Sequence, residues 1–292
     1  MRLTESMRLA SATSAEARAA DQLYRATRRA SSGLKVEMPS DGPAAYSAIA
    51  TYDGAITRLG KRAEIVGRAA DVLNLADGSL ASAADVVSHA RELALEMSNG
   101  HIDAATRARA ATEVTALREE VLKLANTKAP DRYLFAGTAD ATPPFTAAGA
   151  FVGNDHAIEA ETSDGVLVRV NASGAKAFTA AGGRDVLADL ANLAAALGAN
   201  NVAGIEQSLT DLDAAHGQII AARSEIGVTV GRLRSASDMT TAILTTLRGA
   251  RAGEAEADPL EAFSTLTIAK SSYERSIQVT AQILAVSSIN RG

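Results

Sequence analysis

The sequence predicts a mainly α-helical fold with a small β domain. Two long helices form an antiparallel coiled-coil rod, and a β-hairpin or small sheet is inserted between them. Apolar residues recur at helical spacing for about a hundred residues before residue 131. The spacing then drops to two for one short hairpin, and helical spacing resumes to the end of the chain. The chain therefore runs out along helices and returns along helices, with the β segment at the turn.

Composition favours the same architecture and excludes several classes of protein. Of the 292 residues, 47% are hydrophobic but only 3% are aromatic, which suits long helices that approach through small side chains. A net charge of −5 argues against a general nucleic-acid binder, and no apolar run approaches the length of a membrane span. The absence of cysteine excludes disulfides, thiolate metal sites and cysteine nucleophiles.

An N-terminal helix is predicted over residues 4–32, with a thin apolar stripe that is expected to order only against a partner. Gly33 fits the position after a helix, Ser40 or Asp41 can cap the next helix, and Pro43 is tolerated in its first turn. This N-terminus lacks the apolar core of a secretory signal peptide. Its basic composition also resembles a mitochondrial transit peptide, but its acidic residues and its smooth continuation into further helix favour a structural segment.

The first long helix carries the clearest periodicity, because its larger apolar residues recur every seven positions, as in a coiled-coil seam. These residues are Leu59, Val66, Leu73, Leu80 and Val87, followed in register by Ala94. The alternate seam position is predicted at Ala63, Ala70, Asp77, Ala84 and Arg91. The helix is expected to end near Asn99, and Asp103 can cap a second helix. The stripe of that helix is Val114, Leu117, Val121 and Leu124.

A β-hairpin is predicted soon after residue 151. Small or apolar residues alternate with charged ones in 158–162, and a similar alternation occurs in 166–170. Residues 163–165 have the Ser-Asp-Gly sequence of a tight turn between them. We expect this hairpin to decorate the outer surface, the alternative being a packing cover for the rod.

The second half of the chain again predicts a capped helix and a long helix with a heptad seam. Asp185 can cap a helix, and a second seam then places residues seven apart at Ile205, Leu212, Ile219, Ile226, Leu233, Thr240 and Leu247. Residues 248–258 are predicted to be a break, after which Asp258 and Pro259 begin the last helix.

Three domains follow from this plan. The terminal helices, 1–42 plus 258–292, form an assembly domain that is disordered in the monomer. The helical rod comprises 43–130 plus 185–257, and the small β domain comprises 131–184.

No group of residues in the sequence has the types and spacing of a catalytic or binding site. Residues 54–62 contain glycines and a lysine as a phosphate loop does, but the glycine spacing is one residue too long and no Ser or Thr follows Lys61. The four histidines lack metal-ligand spacing. Residues 171–173 match a glycosylation acceptor, a triplet that is frequent by chance. We therefore predict no catalytic, cofactor-binding or metal-binding residues, no cofactor, and no enzymatic activity.

A family resemblance is carried by residues 124–138 together with 144–145, which include most of the motif at 131–145. Its most specific residues are Tyr133, Leu134, Phe135, Ala136, Gly137, Thr138, Pro144 and Phe145. This run resembles the signature of the flagellar hook-associated protein 3 family, flagellin-like subunits that join hook to filament. Residues 31–43, residues 151–155 and the helix from Tyr273 to Ile289 resemble further parts of that family, in the same order. Gly42 and the ending at 286–292 depart from it, since the family usually has an acidic residue and a more leucine-rich end.

The resemblance implies a flagellin-like rod and a structural subunit of the bacterial flagellum at the hook–filament junction. It implies a ring of identical subunits that contacts the first hook-associated protein and flagellin. Export would use the flagellar type III apparatus and a cytoplasmic export chaperone. The protein would lie outside the cell in the flagellum, after a transient cytoplasmic stage, with no nucleic-acid or membrane partner.

The terminal helices are expected to provide the assembly interface, the alternative being ordinary packing within one chain. The residues expected there are Leu3, Met7, Leu23, Tyr24, Phe263, Leu266, Tyr273, Ile277 and Leu284.

Two other functions remain open. Flagellin shares both ends and the rod, although the motif at 131–145 and the brief β segment favour the junction protein. A cytoplasmic coiled-coil signalling protein would explain the alanine-rich heptads, but not the hairpin or the ends.

Overall fold

The computed structural model describes residues 5–289, and the side chains of residues 7–285. The helices are α1 Glu5–Ser32, α2 Pro43–Met97, α3 Ala104–Ala125, α4 Gly174–Phe178, α5 Val186–Gly198, α6 Val202–Ala255 and α7 Pro259–Ile289. The strands are β1 Lys128–Ala129, β2 Arg132–Tyr133, β3 Glu159–Ser163 and β4 Val166–Arg169. The chain divides into two compact units, unit 1 of residues 1–58 with 243–292 and unit 2 of residues 59–242. The threefold domain division predicted from the sequence stays a prediction.

In unit 2, α2 and α6 run antiparallel. Asp77 is paired with Arg223, and Arg91, further along α2, is paired with Asp213, which lies earlier on α6. Between the two helices lie the larger seam residues, which confirms the heptad prediction. Those exposed by 2% or less are Val66, Leu73, Leu80, Val87, Ile205, Leu212, Ile219 and Leu233.

The predicted alternate seam position on α2 is wrong by one residue, except at Ala84, which is 2% exposed. The column of buried small residues is Ala69, Ala76, Ala83 and Ala90, each exposed by 6% or less. Asp77 and Arg91 instead lie at the edge of the seam, where they form the two ion pairs. A seam alternates steps of three and four residues, and the prediction used four where the helix uses three. Since both columns are rich in alanine, side-chain size gave no signal to choose between them.

The second helical layer of unit 2 consists of α3 packed against α5. Val114 and Val121 of α3 and Leu190 and Leu193 of α5 are fully buried. Both predicted caps are confirmed: Asp103 accepts from the Thr106 N–H at 2.6 Å, and Asp185 accepts from the Ala188 N–H at 3.0 Å.

A buried carboxylate joins α5 to α6. Asp189 is only 4% exposed and accepts a hydrogen bond from the Arg184 guanidinium at 3.0 Å. The same guanidinium reaches Asp211 of α6 at 2.9 Å. Burial raises the pKa of Asp189, against the opposing effect of Arg184.

The predicted hairpin is confirmed as the antiparallel pair β3–β4, in which Ala160 lies opposite Val168 and the register shifts between Glu161 and Ser163. Ala160 and Thr162 are buried while Glu159 and Glu161 are exposed, as the alternation indicated. The pair β1–β2 and the short helix α4 were not predicted. Strands of two residues are too short to display alternation, and a helix of five residues is too short to display a helical period.

In unit 1, α1 packs against α7. The residues buried along α1 are Ala12, Ala19 and Ala26, seven apart, and those along α7 include Ala262 and Ala269, also seven apart. The contact is therefore a coiled-coil seam of small side chains.

The last part of α6 corrects another prediction, because the helix continues to Ala255 and the predicted break at 248–258 is reduced to residues 256–258. Gly249 and Gly253 lie within the helix, where each costs about 1 kcal/mol relative to alanine. Tertiary contacts outweigh this cost, since Arg251 pairs with Asp53 and Ala255 is only 2% exposed.

Across residues 5–289, no helix combines the length and the apolar character that a membrane span requires. Within the same range, no group of three or more His, Asp or Glu side chains is arranged to hold a metal ion.

Candidate assembly surface

The motif at residues 131–145 is buried rather than displayed. Phe135 is fully buried and Phe145 is 2% exposed. Their rings meet the ring of Phe178 edge-on, with centroids 5.4 Å and 5.8 Å apart, and Phe145 also meets Phe151 at 5.1 Å. Edge-to-face arrangements of this kind stabilise aromatic clusters beyond simple burial. The motif therefore forms the core of the non-helical part of unit 2.

The glycine of the motif is required by its surroundings. Gly137 has φ +69°, a conformation that favours glycine. A Cβ at this position would lie 2.1 Å from the carbonyl oxygen of Asn154. The next residue, Thr138, donates its N–H to the Asn154 Oδ1 at 3.0 Å, so the chain at 137–138 is pinned to the segment that leads into the hairpin.

The remaining motif residues are fixed through their backbone. The N–H of Tyr133 donates to Asp140 and that of Leu134 to Thr127. The carbonyl of Ala136 accepts from Asn154, and the carbonyl of Pro144 accepts from Val152. The structure thus brings all eight motif residues into one hydrogen-bonded and packed region.

Asn154 lies in a segment that carries the resemblance, but the binding of Asn126 and Asn154 to the motif was not predicted from the sequence. Phe178 was missed altogether. Their roles depend on contacts between distant segments, which a search for short motifs does not reveal. A further asparagine, Asn171 of the glycosylation-like triplet, is also structural. Its Oδ1 accepts from the Ile158 N–H at 2.8 Å and its Nδ2 donates to the His156 carbonyl at 3.0 Å.

Apolar side chains are exposed along the α1–α7 pair. Since alanines fill the seam between the two helices, many of the large residues remain outside it. Among the predicted interface residues, the exposed ones are Met7 at 55%, Tyr24 at 66%, Phe263 at 58%, Ile277 at 41% and Leu284 at 48%. Leu23, Leu266 and Tyr273 are half-buried beside the seam, and Leu3 lies outside the described residues.

Three further exposed residues of α7 were missed by the sequence analysis: Leu260 at 81%, Ile268 at 64% and Val279 at 51%. Ile268 and Val279 lie away from the stripe that contains Phe263 and Ile277, at about 140° and 160° from Phe263 around the helix. Leu260 lies three residues before Phe263 and borders the stripe. A search that follows one stripe does not find apolar residues on another face. We define the assembly surface as the exposed apolar residues of α1 and α7.

Comparison with known proteins identifies the first half of the chain. Residues 4–140 match the bacterial flagellin N-terminal helical region. This region includes α1, α2, α3 and most of the motif.

Curated relatives extend the comparison and confirm the family resemblance. Flagellar hook-associated protein 3 of Escherichia coli (strain K12) is 29% identical over 150 residues, which are 51% of this chain and 47% of that protein. The protein of the same name from Salmonella typhimurium (strain LT2) is 27% identical over 150 residues, with the same coverage. The chain spans about half the length of the curated relatives it matches.

Solved structures confirm the fold. A putative flagellar hook-associated protein from Vibrio parahaemolyticus superposes with a TM-score of 0.69 at 19% identity, covering 74% of this chain and 100% of the other. FlgL from Bacillus cereus superposes with a TM-score of 0.60 at 18% identity, covering 68% of this chain and 96% of the other. The mainly α, flagellin-like architecture with a small β insertion is therefore confirmed.

Proposed function

We propose that this protein is a structural subunit of the bacterial flagellum that forms the hook–filament junction. The observation that carries the proposal is the assembly surface, which exposes apolar residues along both terminal helices. Large exposed apolar patches on soluble proteins mark sites of association. The names of the curated relatives support the flagellar assignment.

Assembly would stabilise the pair of terminal helices. The α1–α7 seam buries mainly alanine, and each alanine contributes little burial compared with leucine or phenylalanine. Isolated helices with so little to bury are marginally stable. Neighbouring copies would supply apolar surface to Phe263, Ile277 and Tyr24, so that the helical pair becomes more stable as the polymer forms.

The other components follow from the same proposal. The subunits would form a ring that contacts the first hook-associated protein on one side and flagellin on the other. They would reach this position outside the cell by export through the flagellar type III apparatus, after a cytoplasmic chaperone has held the assembly surface.

Flagellin is the second candidate, and the match of residues 4–140 to the flagellin N-terminal region favours it. A deletion strain separates the two. Loss of a junction protein leaves intact hooks and filament monomers in the medium. Loss of the sole flagellin leaves hooks that still carry their junction proteins, an outcome that would overturn the junction proposal.

The assembly surface is tested by complementation of that strain. Phe263→Ser removes a large exposed residue of α7, and Met239→Ser is the matched control, since Met239 is 67% exposed on α6 in unit 2. We expect the control to restore filaments as the unaltered protein does, and Phe263→Ser to be secreted but to restore few or none. Full restoration by Phe263→Ser would contradict the proposed surface.

A further inference from the structure

The linker between α1 and α2 is held in a folded conformation by one carboxylate, that of Asp41. Asp41 accepts hydrogen bonds from the N–H groups of Glu37 at 3.1 Å and Met38 at 3.0 Å. It also accepts from the Arg28 guanidinium at 3.0 Å. The linker at 33–42 is therefore folded back on itself around Asp41, and the last turns of α1 are attached to the same carboxylate.

Arg28 joins α1 to this linker at a second point. Its Nε lies 2.9 Å from the Glu37 carboxylate, so one guanidinium bridges two acids that come from the linker. The side chains of Arg28, Glu37 and Asp41 are only 25%, 23% and 14% exposed. Ion pairs shielded to this degree and arranged as a network hold geometry better than isolated pairs on an open surface.

The second linker is bound to the first. Leu34 and Glu256 form an antiparallel bridge, Lys35 donates its N–H to Ala255 at 2.8 Å, and Ala257 donates its N–H to Gly33 at 2.9 Å. Val36 packs on Ile49 and Ala255, forming a small apolar cluster under the bridge. The start of α7 is therefore attached to the end of α1 through the two linkers.

We propose that Arg28, Glu37 and Asp41 form a latch that fixes the direction in which α1 leaves the start of α2. The paired linkers extend this constraint to α7, so that unit 1 presents its two terminal helices as a pair in a set orientation. The latch lies entirely within unit 1 and does not depend on the proposed flagellar function.

Gly42, the residue before α2, has no side chain with which to cap that helix. Gly42 accepts from the Tyr46 N–H at 2.9 Å through its carbonyl, so the backbone begins α2 without a side-chain cap. The linker is ordered chiefly by Asp41. The pKa of Asp41 is held below its usual value, first by the N–H groups of Met38 and Glu37 and then by Arg28.

The chain offers a direct test because it contains no cysteine. Spin labels on the double variant Gln22→Cys and Ala50→Cys, both exposed positions of unit 1, report the distance between α1 and the start of α2 by pulsed electron resonance. We expect one narrow distance distribution, at least doubled in width by Arg28→Ala or Asp41→Asn. The matched control is Arg25→Ala, since Arg25 pairs along α1 with the exposed Asp21, and this change should leave the width unaltered.

A second measurement separates loss of the latch from general unfolding. Asp41→Ala should accelerate hydrogen exchange at the Glu37 and Met38 amides at least tenfold, while the thermal unfolding of unit 2 stays unchanged. A distribution that is as narrow in Arg28→Ala and Asp41→Asn as in the labelled parent would overturn the latch. A broad distance distribution in the labelled parent would also overturn the latch.

Discussion

Asn126 and Phe145 hold each other by two hydrogen bonds, one in each direction. The Asn126 Nδ2 donates to the Phe145 carbonyl at 3.0 Å, and the Phe145 N–H donates to the Asn126 Oδ1 at 2.9 Å. Asn126 ends α3, and Phe145 lies at the far end of the motif. One side chain therefore replaces a pair of backbone hydrogen bonds and closes the loop between them.

Asn126→Ala is expected to lower the free energy of unfolding by about 2 kcal/mol, because the N–H and carbonyl of Phe145 lose their partner. Urea unfolding measures this change. Asn74→Ala, at an exposed position of α2, should change the free energy by less than about 0.5 kcal/mol. Equal effects of the two substitutions would show that the paired hydrogen bonds do not matter.

Two glycine substitutions should act in opposite directions. Gly137→Ala places a Cβ 2.1 Å from the Asn154 carbonyl at a positive φ, so we expect a loss of several kcal/mol or failure to fold. Gly78→Ala has no atom within 4 Å of its new Cβ, and in the middle of α2 it should stabilise unit 2 by about 0.5–1 kcal/mol. Thermal unfolding of both variants checks the prediction, which fails if Gly137→Ala unfolds at the parent temperature.

The corrected seam position is tested by a larger side chain. Ala76 is 1% exposed, so Ala76→Leu is expected to overpack the seam and destabilise unit 2 by about 1–3 kcal/mol. Its neighbour Asp77 was predicted to occupy the seam but lies at its edge. Asp77→Ala removes only the half-exposed pair with Arg223 and should cost less than about 1 kcal/mol. If Asp77→Ala instead cost more than Ala76→Leu in urea unfolding, the result would favour Asp77 as the seam residue.

Because burial raises the pKa of Asp189, the stability of the protein should depend on pH. The pKa of this carboxyl is raised from the ordinary value of 3.8, so the carboxyl of the unfolded chain ionises first as the pH increases. The free energy of unfolding should therefore fall as the pH rises from 3.8 through the raised pKa. Asp189→Asn should lack this fall, which urea unfolding over a pH series would measure.

Asp103→Asn is a control for which stability should depend on pH in the opposite direction. This variant keeps a capping oxygen at the start of α3. The pKa of Asp103 is lowered, first by the N–H of Thr106, so its contribution is present above pH 3.8 and is lost as the pH falls below that value. A difference between the parent and Asp189→Asn that stays constant with pH would contradict the account of Asp189.

Much of the helical fold could be predicted from the sequence because its signals are local. Leu73 and Leu80 repeat at the period of the seam, and Asp103 and Asp185 stand immediately before their helices. The continuation of α6 to Ala255 could not be predicted this way. Its glycines indicate a break, and the helix persists through contacts with distant residues, namely the burial of Ala255 and the pairing of Arg251 with Asp53, nearly 200 residues away.

The candidate surface was predictable only in part. Phe263 and Ile277 lie on the stripe that a helical period reveals, and both are exposed. Ile268 and Val279 lie on another face, and their exposure depends on where α1 packs. The alanines that bring α1 close to α7 leave these residues uncovered, a consequence of packing that no single helix encodes.

The most direct test of the central claim is immuno-electron microscopy of intact flagella with an antibody against residues 59–242. A hook–filament junction protein predicts label confined to the boundary between hook and filament. Label along the whole filament would contradict the junction assignment in favour of flagellin. Label found only in the cell body would contradict a flagellar role altogether.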